Sequence, residues 1–195
     1  MSKSDPSSAK KERKKTIRWV VTIFIVTIFV SGTITLVSDT IMEGSTMLIA
    51  FLILLAIVFI GIVFDVIGVA VTSAEEKPFH SMAARKVPGS QEAIRLLRNA
   101  ERVSSICNDV VGDICGVVSG SASATIAAQL LQKIEFSAPQ VIGLLMSALV
   151  AGLTVGGKAI GKSYAIGSCT KIVQFVGKLQ WLMRRFPALF QKKKS

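Results

Sequence analysis

Asp109 and Asp113 stand four residues apart in ICNDVVGDICGVVSGSASATIAAQLL, the stretch from Ile106 to Leu131. Four residues make about one helical turn, so both carboxylates project from one face. The rest of the stretch is apolar or small enough to read as a membrane-spanning helix. A carboxylate at membrane depth costs roughly 2.5 kcal/mol or more on insertion scales. A like charge one turn away adds to that cost. A cation between the carboxylates, a proton on one of them, or a face open to water would each relieve it. The pair could also lie just outside the membrane on an amphipathic segment. The first three arrangements point to the handling of ions.

Other oxygen-bearing side chains share this span. Ser105, Asn108, Ser119, Ser121, Ser123 and Thr125 add hydroxyl and carboxamide groups. Carboxylate, amide and hydroxyl oxygens suit a hard cation such as Mg²⁺ or Na⁺. Cys107, Cys115 and Cys169 have no metal-ligand spacing and form no disulfide framework, which argues against zinc or copper. His80, the one histidine, reads as an interfacial surface residue. No nucleophile elbow, zinc-protease helix, phosphate-binding loop or dinucleotide fingerprint occurs, so nothing proposes an enzyme.

The elements that must position these groups follow from hydropathy. The chain has 195 residues, 51% of them hydrophobic, and a mean hydropathy of +0.58. This suits an all-α integral membrane protein of about four transmembrane helices. Residues 1–16 form a basic tail expected to be disordered. A transmembrane domain covers 17–157, with spans at about 17–37, 47–71, 103–131 and 141–157. A cytosolic elbow of short helices, 72–102, joins the second span to the third and breaks at Pro88-Gly89. The basic leader KKERKK precedes an apolar run too long for a signal peptide, although Val30-Ser31-Gly32 is a weak cleavage candidate. An uncleaved anchor is expected.

Residues 158–195 carry nine bases and no acid. Within them, TKIVQFVGKLQWLMRRFPALF places Ile172, Phe175, Val176, Leu179, Leu182 and Met183 on one face, flanked by Lys171, Lys178, Arg184 and Arg185. A C-terminal basic amphipathic helix of this kind fits anionic lipid, with a partner-binding helix as the lesser alternative. Lys192-Lys193-Lys194 reads as a solvated basic end, with a dilysine retrieval signal as the alternative.

Charge distribution then orients the chain. Net charge is +11, and Lys133 alone among the 23 Lys and Arg lies outside three clusters. The clusters run from Lys3 to Arg18, Lys77 to Arg102 and Lys158 to Lys194. Four spans with both termini cytoplasmic put all three on one side, as the positive-inside rule requires. The acidic loop Ser38–Ser45 and the nearly neutral loop Gln132–Gln140 then face out. The expected location is a cell membrane. Nucleic acid is not expected, because no binding motif with interleaved aromatics accompanies the bases.

Small residues recur on the last two spans. Gly112, Gly116 and Gly120 are spaced by four, as are Gly152 and Gly156, with Gly143, Ser147 and Ala151 on another stripe. Such stripes let helices approach closely in lipid, as packing or dimerisation faces.

The stretch FDVIGVAVTSAEEKPFHSMAARKV, Phe64 to Val87, followed by SQEAIRLLRNAERVSSICNDVVGDI, resembles the transmembrane domain of the cyclin M and CorC magnesium transporters. Phe64, Ala70, Thr72 and Ser73 match a motif like FSGSETALTS at the end of a span. Ala83, Leu96, Leu97, Asn99, Glu101 and Arg102 match the elbow, and Asn108 matches an asparagine that opens the next span. The resemblance covers about Met47 to Gly157. It implies a membrane fold and divalent cation transport, with Mg²⁺ as the ion. Asp65-Val66-Ile67-Gly68 stands where the family carries its Ser-Gly-Ser-Glu ligands, and no room remains for the family's CBS modules. The ligand set implied here is therefore different: Asp65 and Asp109 as direct ligands, Asp113 as a deeper carboxylate, and Asn108 with Ser105 as neutral ligands. One pair of close spans builds a poor pathway, so a homodimer is expected. Two other readings stay open: a non-transporting scaffold that holds lipid or a partner through its basic tail, and a proton-coupled permease with Asp113 as relay.

Overall fold

The computed structural model describes residues 6–132 and 139–191. The described residues are helical throughout, with no strand. Helix α1 is Pro6–Glu43 and α2 is Met47–Ser73. Two short helices follow, α3 Lys77–Ala84 and α4 Ser90–Arg98. A single long rod then contains α5 Ala100–Ser105, a π-helical segment Ile106–Gly112, and α6 Asp113–Leu131. The chain ends in α7 Pro139–Gly167 and α8 Cys169–Gln191.

Four helices are long and apolar enough to cross a membrane: Thr16–Met42, Met47–Ser73, Ala100–Leu131 and Gln140–Gly167. Two of the sequence-based spans prove short. Helical backbone runs through the basic leader from Pro6, where a disordered tail is expected. The α7 helix continues for ten residues past Gly157. In both places hydropathy falls while helix propensity holds, because Lys, Glu, Arg and Ala are good helix formers. Residues 133–138 of the second expected outer loop, and Lys192–Lys194, lie outside the described residues.

Local chemistry explains the breaks. The α2 helix begins after Gly44-Ser45-Thr46 and ends where Ala74 turns extended. Pro78 sits in the first turn of α3, where its missing N–H costs nothing. Gly89 opens α4 with φ +86°, a left-handed conformation that favours glycine.

The helices pack around two separate apolar cores. One contains Met42, Ala50, Leu54, Val58, Ala122, Ile126 and Val150. The other contains Ala70, Val71, Phe79, Ala93, Leu97, Ala165 and Val173, and so joins the α2 end to α3, α4, α7 and α8. Ile62 packs against the first core and Val66, one turn on, against the second. Asp65 lies between them in sequence. The α1 helix rests mainly along the rod, with Arg102 stacked on Trp19 at one end and Gln129 Nε2 donating to the Met42 carbonyl at the other.

Glycine sets the helix spacing between the cores. A Cβ at Gly61 would lie 2.9 Å from the Cys115 Cβ, and one at Gly161 would lie 2.6 Å from Val66 Cγ2. A Cβ at Gly157 would overlap Ile62, and one at Gly68 would overlap the Asn108 carboxamide. The stripes singled out by spacing behave differently. Gly116, Gly120, Gly152 and Gly156 would meet nothing within 4 Å. Close packing on α2 therefore uses its own Gly61 and Gly68, seven residues apart, and the α7 pair Gly157 and Gly161, four apart but outside the stripes singled out by spacing.

Candidate functional site

Three charged groups share one level of the bundle. At about 1.5 Å rise per residue, Asp65 lies about 27 Å along α2 from Met47. Asp113 lies about the same distance from Leu131, and Lys158 from Gln140. A hydrocarbon layer is about 30 Å thick, so this level sits near one edge of it. Asp109 lies one turn nearer the elbow.

Asp65 points into the bundle and meets a cation of the chain itself. Lys158 Nζ is 3.9 Å from Asp65 Oδ1, with the side chains 29% and 17% exposed. The same ammonium lies 3.5 Å from where a Gly112 Cβ would stand, so it reaches the rod as well. Gly112 opens that space. Sequence reasoning missed Lys158, because hydropathy ends the fourth span at Gly157 and assigns the lysine to the tail. The available signal was its spacing of four from Lys162 on an uninterrupted helical pattern.

Asn108 faces Asp65's helix. Its carboxamide occupies the notch left by Gly68, and its Nδ2 donates to Ser104 Oγ at 3.3 Å. Its Oδ1 is buried with no hydrogen-bond partner. A buried carbonyl without a donor costs about 1–3 kcal/mol. It is also the type of oxygen a hard cation accepts. Asn108 falls within the π-helical segment, the wider turn often found at functional sites.

The remaining predicted ligands turn away from this notch. Asp109 is exposed, and Ser105 Oγ donates to its Oδ2 at 2.8 Å. Asp113 is also exposed. The two carboxylates share a face, as their spacing requires, but that face is not packed against α2. Among the described residues no group of three His, Cys, Asp or Glu is close enough to hold a metal ion. Asp65 and Asn108 are thus on facing helices, Ser105 and Asp109 are joined to each other, and Asp113 stands apart.

The spans' hydroxyls mostly serve the backbone. Ser119 donates to the Gly116 carbonyl, Ser123 to Gly120 and Thr154 to Val150. They line a groove of about 230 Å³ between α6 and α7, together with Gly116, Gly120, Ser147, Ala151 and Val155. It opens beside the unpacked glycines. His80 is exposed and bonds Glu76 at 3.1 Å, at the surface as its sequence context suggests. Comparison with protein-family models, curated proteins and solved structures finds no match in any of the three.

Proposed function

We propose that the chain is a multi-pass membrane protein that binds or transports a divalent cation, with Mg²⁺ as the leading ion. The reading rests on the resemblance of Phe64 to Ile114 to the cyclin M and CorC transmembrane domain. The observation that carries it is the buried, unpartnered Asn108 carbonyl beside Asp65's helix. The elbow and both termini lie in the cytoplasm, because the bases gather at that end. Asp65, Asn108 and Asp113 then line the cytoplasmic edge of the membrane, with Ser105 and Asp109 at the water-exposed mouth. Two copies related by a twofold axis would cover the groove and the carboxylate face of α6, consistent with a homodimer.

The test is the melting temperature of the purified protein across a Mg²⁺ titration, with Asp65→Asn beside it. A ligand that binds the folded state alone adds about 2.7 kcal/mol of stability at a hundredfold excess over its Kd. A saturable rise that the variant loses supports the reading. No rise with millimolar Mg²⁺, Mn²⁺ or Ca²⁺ overturns it.

The Lys158–Asp65 contact favours a second reading, a non-transporting scaffold in which a lysine stands in for the metal. Lys158→Met separates the two. It frees Asp65, so Mg²⁺ stabilisation should strengthen under the transport reading. Under the scaffold reading the protein only loses stability, at every Mg²⁺ concentration.

A further inference from the structure

The α8 helix is apolar on two sides, and the fold uses one of them. Val173 is fully buried against the elbow, and Gly177 lies against Gly89 and Ala93. Gln174 Nε2 donates to the Pro88 carbonyl at 3.0 Å. The face predicted from sequence is therefore divided. Ile172 and Val176 turn toward the elbow and are half-buried. Phe175 and Met183 remain 68% and 67% exposed, and Leu179 and Leu182 are exposed with them. At 100° per residue, Phe175, Leu179 and Leu182 lie opposite Val173.

Two observations say what covers this second face. Lys171, Lys178 and Arg185 are exposed beside it, and no acid occurs from Lys158 to the end of the sequence. The covering surface must then carry negative charge beside an apolar layer. Position supplies the second argument. Ser168 alone separates α8 from α7, the fourth apolar helix, and α8 is held against the α2 end through Val173, Ala70 and Val71. The helix cannot leave the membrane edge while that core persists. A bilayer leaflet with anionic headgroups meets both requirements, with apolar chains below and phosphates above.

We propose that Phe175, Leu179, Leu182 and Met183 insert into the interfacial layer of an anionic leaflet, while Lys171, Lys178 and Arg185 engage its phosphates. The inference rests on the membrane reading of the four long helices and is independent of any cation site.

The test uses the full chain in lipid nanodiscs, with Cys107, Cys115 and Cys169 replaced by Ala and a nitroxide at Leu182→Cys or Phe175→Cys. Collision with oxygen, which enters lipid, is compared with collision with a water-soluble nickel chelate. Oxygen should be favoured by about fivefold or more in discs of phosphatidylcholine with phosphatidylglycerol, and less in phosphatidylcholine alone. Lys171→Glu with Lys178→Glu should erase that difference. For the unmodified chain, tryptic cleavage at Arg184-Arg185 should slow about tenfold in the anionic discs. Free access of the nickel chelate in both lipids would overturn the proposal. So would exclusion of both reagents, the mark of a protein partner or second copy on this face. Equal oxygen preference and equal cleavage in the two lipids would overturn its anionic part.

Discussion

Gly68 shows how one missing methyl group shapes a site. The Asn108 carboxamide fills the volume that a side chain on α2 would take. Gly68→Ala must turn that carboxamide out of the notch and break its contact with α2. Overpacking of this kind costs about 1–3 kcal/mol. Its melting temperature should fall accordingly, and any Mg²⁺ stabilisation should fall with it. Gly120→Ala is the control, because nothing lies within 4 Å of the added carbon. Equal melting temperatures for the two variants would refute the notch as a constraint. Asp109 and Asp113 stood out by spacing alone, and both prove exposed. Lys158 and Gly68 did not stand out. Their roles depend on which residues of a distant helix stand opposite, and Asp65 and Lys158 are brought together only by the packing of α2 on α7.

At the scale of elements, the joint between α4 and α8 is set by two glycines. Gly89 holds φ +86° and lies against the α8 backbone at Lys178. Gly89→Ala meets both penalties, a left-handed alanine and a collision with main chain rather than a flexible side-chain end. The expected result is loss of the joint rather than a small adjustment. Amide exchange over Leu96–Leu97 and Ile172–Val176 should accelerate by about tenfold or more, the factor for a loss of about 1.4 kcal/mol. Exchange over Leu54–Val58 should stay unchanged, since those residues belong to the other core. Protection retained at α4 would show that the joint does not need Gly89. The break between the two short helices was readable from Pro88-Gly89, whereas the start of α3 at Lys77 was not. The face of α8 was only half readable, because a pattern of large apolar residues points to Phe175 and passes over Gly177. A glycine contributes closeness, which hydropathy does not register.

Among the described residues the bases gather at one end of the four long helices, and the proposed orientation rests on this. A thiol-reactive, membrane-impermeant label should reach Ser45→Cys from outside intact cells. It should reach Ser81→Cys only after permeabilisation, with the native cysteines replaced in both variants. Both sites are at least partly open in the fold. Labelling of Ser81→Cys from outside would invert the topology. The four long apolar helices were legible because hydropathy marks a run in each, although the run at 141–157 alone is shorter than the roughly 20 residues a bilayer needs. The ends of the helices were not, because a helix does not stop where its side chains become charged.

The two apolar cores have a mechanical consequence. Between Val58 and Ala70, α2 meets its neighbours through glycines, a cysteine, a carboxamide and a charged pair, with Ile62 and Val66 seated over Gly157 and Gly161. The helices approach closely here, so this layer holds the half nearer Met42 and the half bearing the elbow at a fixed spacing. A displacement of α8 or the elbow is therefore passed through the layer of Asp65, Asn108 and Lys158 on its way to Leu54 or Ile126, because a close-packed layer transmits strain.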